Sequence, residues 1–428
     1  MNRYLPLIFV ETYLLVTLLL YFFGPVNFKT HNLGFFLVLL FLYHSAFILG
    51  YWVAKKLYKP RFNFKSARFS PKLYYATLIL STFMVLLNYK NLMLTNSIIP
   101  YNLFKDVSYG ITNPGLAYTE RQVQLMDGVT SGSRLLNILS IFLAFTKLFF
   151  IFLCIHFWKD LSRIKKLQFT LYCLLFISAG FSSGTNSVIF IFFIFFVSAL
   201  MLKLYLDRSK YLKRAVLILG SSLMLPILFF GYIMSRRGGG FDYFAGTSPL
   251  GDISGPESTP DLVGIFDLLY YSWVWLNYYV VQGYYGFSLI LNLDWKWTYG
   301  FGNSAFLQRQ VQVLTGIDIS ELSFQSRISE YWDVTAQWHS FYGQFANDFG
   351  LEGVIVFMFI LGFFLSRAWD SVIIEDSFYG RGLLVLCPLM FIFFPANNLV
   401  LGYLDTISYV GFCLILWTLE GKKLRFNL

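Results

Sequence analysis

The chain has 428 residues, of which 57% are hydrophobic, 21% aromatic and 13% charged, and its mean hydropathy is +0.60. A water-soluble fold cannot cover so much apolar surface with so few charges, so the composition excludes a soluble enzyme, a disordered chain and a secreted disulfide scaffold. The net charge of +10 would suit a nucleic-acid partner, but its distribution along the chain argues against one, as shown below.

Long apolar runs follow one another along most of the chain. A helix that spans a bilayer needs about 20 mostly apolar residues, and these runs reach about that length. They predict an all-α polytopic membrane protein with about ten transmembrane helices and a large helical external loop before the late spans. The predicted spans are residues 5–23, 33–54, 73–88, 136–158, 168–182, 185–202, 215–234, 351–368, 382–397 and 401–418.

Almost all of the basic residues lie in the segments that connect these spans. With the first residues on the cytoplasmic side, the internal segments hold 22 of the 33 Lys and Arg residues and the external segments hold ten. An excess of Lys and Arg on the cytoplasmic side is the normal bias of membrane proteins. The positive charge is therefore topological, and we expect no nucleic acid among the partners.

Three regions follow from this order. Residues 1–234 would hold helices 1–7 with one external loop at 89–135. Residues 235–350 would form the large external loop, and 351–428 helices 8–10 with a cytoplasmic tail. The run 263–281 is apolar enough to span alone, but a single extra span would put Lys422, Lys423 and Arg425 outside, against the charge bias. We therefore expect 262–293 to form helices on the membrane surface or packed over the span bundle.

Arg236 and Arg237 follow the seventh predicted span and precede Gly238-Gly239-Gly240. Two guanidinium groups and a glycine turn with free N–H groups could hold a diphosphate. The alternative is a pair of arginines that anchor a helix end at the interface.

His339 lies about a dozen residues before the eighth predicted span, where a histidine could act as general base or bind phosphate when charged. An ordinary interfacial histidine is the alternative. Polar and aromatic residues that suit sugar hydroxyls and ring faces crowd around it, although a capped helix start would explain them equally well. They include Glu330, Asp333, Trp338, Tyr342, Gln344, Asn347 and Asp348.

Other external residues are weaker candidates. Arg309, Arg327 and Arg121 could each contact an anionic ligand, and Asn186 could reach a ligand or cap a helix. Glu11 and Lys147 fall inside spans, where we expect a mutual or other structural ion pair. The scattered histidines and the absence of soluble-enzyme motifs predict neither a metal site nor a cofactor.

The layout and four short motifs resemble the oligosaccharide repeat-unit (O-antigen) polymerases of the Wzy type, relatives of the O-antigen ligases. The motifs are residues 184–186, residues 236–240 with two arginines after a span, the stretch 295–305, and His-Ser-Phe-Tyr-Gly-Gln-Phe-Ala-Asn-Asp-Phe-Gly-Leu-Glu-Gly-Val from 339 to 354. Some relatives carry an arginine in the turn that corresponds to 183–186, and Thr185-Asn186 offers no cation there.

The resemblance implies an enzyme of the bacterial inner membrane whose active site faces the periplasm. Two undecaprenyl-diphosphate-linked glycans, donor and acceptor, would be its partners, with a chain-length regulator as a further candidate. Arg236 or Arg237 would hold the donor diphosphate and His339 would act as base or phosphate ligand. The alternatives are an O-antigen ligase, which shares the chemistry, and a flippase or transporter of the same lipids that performs none.

Overall fold

The computed structural model describes residues 2–60, 67–95, 97–126, 134–222, 224–237, 241–256 and 264–420. In chain order its elements are α1 (Leu5–Phe23), β1 (Asn27–Phe28), α2 (Leu33–Lys56), α3 (Pro71–Leu92), α4 (Leu103–Thr112), α5 (Pro114–Met126), α6 (Arg134–Leu143), α7 (Phe145–His156), α8 (Arg163–Ser182), α9 (Asn186–Leu206), α10 (Leu212–Ser222), α11 (Met224–Arg237), α12 (Asp242–Ala245), β2 (Ile253–Ser254), α13 (Ile265–Ile290), α14 (Ala305–Thr315), α15 (Phe324–Arg327), α16 (Phe341–Glu375), α17 (Phe378–Phe393) and α18 (Leu404–Glu420).

Among the described residues, six helices are long and apolar enough to cross a membrane. They are Leu5–Phe23, Leu33–Lys56, Ile138–His156, Arg163–Ser182, Ser187–Leu206 and Phe341–Glu375. The fold is therefore mostly helical, with the features of a multi-pass membrane protein. The other four predicted spans are also largely helical, in α3, α10 with α11, α17 and α18, but these helices are shorter or less apolar. A total of ten spans stays a prediction.

The chain forms two compact units, each of which draws on separate parts of the sequence. The first contains Met1–Phe64 and Gly238–Tyr403, and the second contains Lys65–Arg237 and Leu404–Leu428. The three consecutive regions predicted from the sequence divide the chain by its spans and loops. That division stays a prediction.

In the first unit, α2 packs closely on α16. A Cβ atom at Gly50 would lie 2.0 Å from the carbonyl oxygen of Phe359, and one at Gly362 would lie 2.1 Å from that of Phe47. Tyr43 OH also donates a hydrogen bond of 2.7 Å to the carbonyl oxygen at position 351. Glycine is required at both crossing points because any side chain there would meet backbone.

A buried carboxylate joins the far ends of the same two helices. Asp370 of α16 is fully buried and accepts hydrogen bonds from Arg3, at 3.0 and 2.6 Å, and from Lys55 of α2, at 3.0 Å. Tyr51 OH donates to the Arg3 carbonyl oxygen at 2.7 Å. Two cations thus neutralise a charge that would be costly to bury alone.

The helix α16 reverses direction at Gly350, whose φ of 69° and ψ of 169° lie in a region that essentially only glycine occupies. The rings of Phe345 and Phe357 are stacked with centroids 3.7 Å apart. In a straight helix these residues would be roughly 18 Å apart along the axis. Residues 341–349 therefore fold back beside the segment that follows Gly350. The predicted start of the span at 351 agrees with this break, whereas the helix continues to Glu375.

The apolar run 263–281 begins outside the described residues and continues into one long helix, α13. Its second half is largely buried and meets α1 and α2 through aromatic rings, with centroids 5.5 Å apart for Tyr21 and Tyr284 and 6.2 Å apart for Phe36 and Tyr284. These contacts bury the second half of α13 against α1 and α2, and the position of 262–293 relative to a membrane stays a prediction. The strands β1 and β2 pair antiparallel next to this half of α13.

In the second unit, α7 lies against α3, α9 and α18. Every residue from Thr146 to Ile155 on α7 is buried. The rings of Phe145 and Phe412 stack at 4.1 Å. Lys147 of α7 is buried and forms an ion pair with Asp405 of α18.

Replacement of Gly362 by Ala should separate α2 from α16, because the added methyl group would meet the Phe47 carbonyl oxygen. Overpacking of this kind costs about 1–3 kcal/mol, and a backbone neighbour cannot rotate away. We expect a lower midpoint of thermal unfolding in detergent.

Gly34→Ala is the matched control because it lies in α2 with no atom within 4 Å of the added Cβ. It should leave the midpoint unchanged or raise it, since Ala favours a helix by about 1 kcal/mol over Gly. Equal midpoints for the two variants would contradict the close packing.

Candidate functional site

His339 lies two residues before α16, in a segment held against α13. The backbone N–H of Trp338 donates to Gln282 Oε1 at 3.0 Å, and that of Ser340 donates to the carbonyl oxygen of Gly283 at 3.4 Å. These bonds fix the backbone on both sides of the histidine. The structure thus places His339 inside the first unit and not on an exposed interface.

Two glycines of α13 make room for this segment. A Cβ atom at Gly283 would lie 2.5 Å from the Ser340 nitrogen. One at Gly286 would lie 2.9 Å from Trp332 Nε1 and 3.1 Å from His339 Nδ1. The spacing of three residues puts both glycines on one face of the helix. That face therefore accepts the backbone and the imidazole ring.

The imidazole of His339 is 5% exposed, and its Nε2 has no hydrogen-bond partner among the described residues. Burial lowers the pKa of His339 to about 3, and the charge of Asp333 offsets this only in part. The ring is therefore neutral at physiological pH. A neutral imidazole can accept a proton from a hydroxyl group, but it is not a standing cation for a phosphate.

The other predicted residues in this segment divide between interior and surface. Tyr342 is fully buried, Gln344 donates to the His339 carbonyl oxygen at 3.1 Å, and the half-buried Trp338 meets the ring of Tyr279 edge-on at 4.8 Å. Gln344 thus supports the backbone of His339. The hydroxyl group of Tyr342 is in contact with His44 and not with His339.

Glu330 and Asp333 are exposed. Asp333 Oδ1 accepts two hydrogen bonds of 2.8 Å from the backbone and hydroxyl group of Thr335. Both carboxylates are accessible to a polar ligand. The structure does not bring them into the buried interior around His339.

Asp348 and Asn347 organise the loop that precedes α14. Asp348 accepts four hydrogen bonds, from Thr298 Oγ1 at 2.5 Å, from the Gly302 N–H at 3.0 Å, and from the backbone and side chain of Asn303 at 3.2 and 2.8 Å. Asn347 donates to the Gly302 carbonyl oxygen at 2.9 Å. Their hydrogen-bonding capacity holds the loop, so it is not available for sugar hydroxyls.

The two basic candidates of the first unit differ in their surroundings. Arg309 on α14 is exposed. Arg327 donates to the carbonyl oxygen of Asp294, and its guanidinium lies 5.8 Å from the centre of the Phe324 ring. Arg309 is therefore the more accessible cation of the two.

Four candidates belong to the second unit. Arg121 is half-buried on α5, Asn186 is the first residue of α9, and Arg236 and Arg237 are the last two of α11. The side chains of the last three lie outside the described part of the structure, as does Gly238-Gly239-Gly240. Cations at the end of α11 are favoured by the helix dipole, which is consistent with the anchoring alternative.

The sequence did not predict the partners of Glu11 and Lys147, the two charged residues that fall inside predicted spans. The alternative that Glu11 and Lys147 pair with each other is wrong. Glu11 Oε2 lies 2.8 Å from His44 Nδ1, and Lys147 pairs with Asp405. The signal for the first pair was a histidine within an apolar span, which is uncommon without a role.

Among the residues that the structure describes, no three His, Cys, Asp or Glu side chains are grouped so that they could hold a metal ion. Comparison of the chain with protein-family models, curated proteins and solved structures gives no match. Any assignment of function must therefore rest on the geometry and on the sequence motifs.

The buried state of His339 makes stability depend on pH. Between pH 6.5 and about 3 the unfolded chain binds a proton at this position and the folded chain does not. The free energy of unfolding therefore falls as the pH falls. From about pH 7.5 to about pH 5.5, the wild type should lose about 1.4 kcal/mol more than His339→Gln does.

Chemical unfolding of both proteins in the same detergent at the two pH values would measure this difference. The other histidines are common to both chains, so their contributions cancel. An equal loss in the two proteins would mean that His339 is solvated.

Proposed function

We propose that the chain is an integral membrane glycosyltransferase that polymerises undecaprenyl-diphosphate-linked oligosaccharide repeat units. The reaction takes place at the periplasmic face of a bacterial inner membrane and releases undecaprenyl diphosphate. The observation that carries the proposal is the buried, neutral His339, whose Nε2 has no partner among the described residues, in the segment that resembles the polymerase motif.

In this reaction a hydroxyl group of one repeat unit attacks the anomeric carbon of the growing chain. A C–O bond forms, the bond between the anomeric carbon and the diphosphate oxygen breaks, and the electron pair leaves with the diphosphate. The hydroxyl proton passes to His339 Nε2. A nearby diphosphate would raise the pKa of His339, because a negative charge favours the imidazolium form.

A departing diphosphate also needs positive charge where its own charge develops. Arg236 and Arg237 fill this role in the proposal, with the exposed Arg309 as a further cation. Arg327 is a weaker candidate because its guanidinium already bonds to a backbone carbonyl oxygen. The side chains of the first two are assigned from the sequence alone.

The glycans need ring faces and polar groups outside the apolar spans. Trp295, Trp297 and Tyr299 are each about half exposed, at 49%, 54% and 56%, and the rings of Trp297 and Tyr299 are 4.9 Å apart. Asp348 holds this loop through its four hydrogen bonds. A rigid aromatic surface of this kind suits the apolar face of a sugar ring.

A transporter of the same lipids is a second candidate because charged groups occur inside apolar helices. Glu11 with His44, and Lys147 with Asp405, are pairs of the kind that line pathways in transporters. Deletion of the gene separates the alternatives. Loss of the polymerase leaves single repeat units on the cell surface, and loss of a flippase traps them on the cytoplasmic face. Loss of a ligase would leave lipid-linked long chains at the inner membrane.

His339→Ala, expressed in the deletion strain, should abolish long chains in a gel of surface glycan, with the protein still inserted in the membrane. General acid–base groups contribute about 10²–10⁴-fold to a rate, so the yield of polymer should fall at least about a hundredfold. His31→Ala is the control, since His31 also lies in a predicted external segment. Near-normal polymer from His339→Ala would remove the histidine from the mechanism.

Arg236→Ala with Arg237→Ala should weaken binding of undecaprenyl diphosphate presented in lipid nanodiscs. The double Lys variant should retain part of the binding, because an ammonium keeps the charge but loses the two-pronged geometry of the guanidinium. Arg163→Ala with Lys166→Ala, in a predicted internal segment, is the matched control. Unchanged binding in the double Ala variant would mean that the two arginines only anchor the helix end.

A further inference from the structure

Three side chains from three helices of the first unit form a continuous hydrogen-bonded chain. Glu11 Oε2 of α1 lies 2.8 Å from His44 Nδ1 of α2, and His44 Nε2 lies 3.0 Å from the hydroxyl oxygen of Tyr342 of α16. Both ring nitrogens of the histidine are therefore engaged. The order of carboxylate, imidazole and hydroxyl group is the one that stabilises an imidazolium ion.

This chain lies inside the apolar helices. Glu11 is six residues from the start of α1 and His44 is eleven residues from the start of α2, or about 9 Å and about 16 Å along the helix axes. Both helices are long and apolar enough to span a membrane. Ionisable residues at such depth are costly and usually have a role beyond packing.

One oxygen of the carboxylate is left open. Glu11 Oε1 is buried and has no hydrogen-bond partner among the described residues. The side chains of Glu11 and His44 are 22% and 21% exposed, so the protein does not fully enclose the pair. A purely structural ion pair would be expected to use both oxygens, because a buried acceptor without a partner costs about 1–3 kcal/mol.

We propose that Glu11, His44 and Tyr342 form a proton-binding site within the apolar helices, in which proton uptake by His44 reverses its hydrogen bond to Tyr342. In the neutral state, His44 Nδ1–H donates to Glu11 and the Tyr342 hydroxyl group donates to Nε2. A proton from solution then forms an N–H bond at Nε2, and the electron pair comes from nitrogen. Nε2–H now donates to the Tyr342 oxygen, and no bond of Tyr342 breaks.

After this reversal the hydroxyl hydrogen of Tyr342 no longer bonds to His44, so it can form a hydrogen bond to another acceptor. Tyr342 belongs to the first turn of α16, next to the Ser340 that caps it and the His339 that precedes it. A proton bound deep between α1 and α2 thus alters a bond of the segment that carries the candidate site. The inference does not rest on glycosyl transfer, because it concerns proton binding alone.

The groups that face the site are mostly neutral. They are Tyr43 from α2, Tyr284 from α13, Phe394 beyond α17, and Glu352 from α16, whose charge acts on Tyr43. Glu11 is the acid in direct contact with His44 and is therefore the group that should set its proton affinity.

The test is nuclear magnetic resonance of the full chain, labelled with ¹⁵N-histidine and held in lipid nanodiscs. The chain has four histidines, and His44→Gln assigns the signals of interest. In the wild type, both nitrogens of His44 should titrate together. In Glu11→Gln, His44 should bind a proton at least about tenfold more weakly, because the carboxylate that accepts from its Nδ1–H is gone.

Tyr342→Phe tests the second bond. The histidine should still titrate, but the Nε2 signal of its neutral form should shift because the donor is gone. An unchanged Nε2 signal would overturn the assignment of Tyr342. The three remaining histidine signals report whether each variant keeps its fold.

Asp252→Asn is the matched control, since Asp252 pairs with His31 at 2.6 Å outside the apolar helices. It should move the titration of His31 and leave that of His44 in place. The proposal is overturned if Glu11→Gln leaves the titration of His44 unchanged, or if His44 does not titrate between about pH 5 and about pH 9. It is also overturned if Asp252→Asn moves His44 as much as Glu11→Gln does.

Discussion

The packing of α2 on α16 is the contact on which the rest of the first unit depends. Gly50 and Gly362 let the two backbones approach, and Asp370 then joins the far ends of the helices to Arg3 and Lys55. The two effects support each other. The carboxylate can be buried only because both cations reach it, and Lys55 reaches it only because the helices are close.

The segment that precedes this packing takes a different direction. From position 351 onward α16 lies against α2, whereas residues 341–349 do not continue along the same axis. The reversal at Gly350 directs them back beside the helix, with Phe345 stacked on Phe357. His339 consequently enters the unit next to Gly286 of α13, where it loses contact with water. This burial against α13 is what lowers the pKa of His339.

The sequence predicts the local features of this arrangement and misses the long-range ones. Apolar runs found the long helices, and the start of a span at 351 agrees with the break at Gly350. Gln344, Asn347 and Asp348 make residues 341–350 more polar than the span that follows, but no pattern in the sequence predicts that the chain folds back at Gly350. The polar residues near His339 in the sequence indicate a candidate site, but the burial of His339 depends on a glycine that is far away along the chain. The partner of Glu11 was missed because contacts between helices leave no periodic signal.

The buried polar groups of the first unit fall into two kinds, and the difference bears on where a ligand or proton can bind. Asp348 and Asp370 accept several hydrogen bonds each, so a ligand would have to displace bonds that already stabilise the fold. Glu11 Oε1 and His339 Nε2 are buried without a partner among the described residues. A proton or hydroxyl group that reaches these atoms forms a bond and displaces none, and because an unsatisfied buried acceptor is costly, that gain is larger than on an exposed surface. The fully bonded carboxylates are therefore expected to govern folding, and unpartnered ionisable acceptors such as Glu11 Oε1 and His339 Nε2 to govern chemistry.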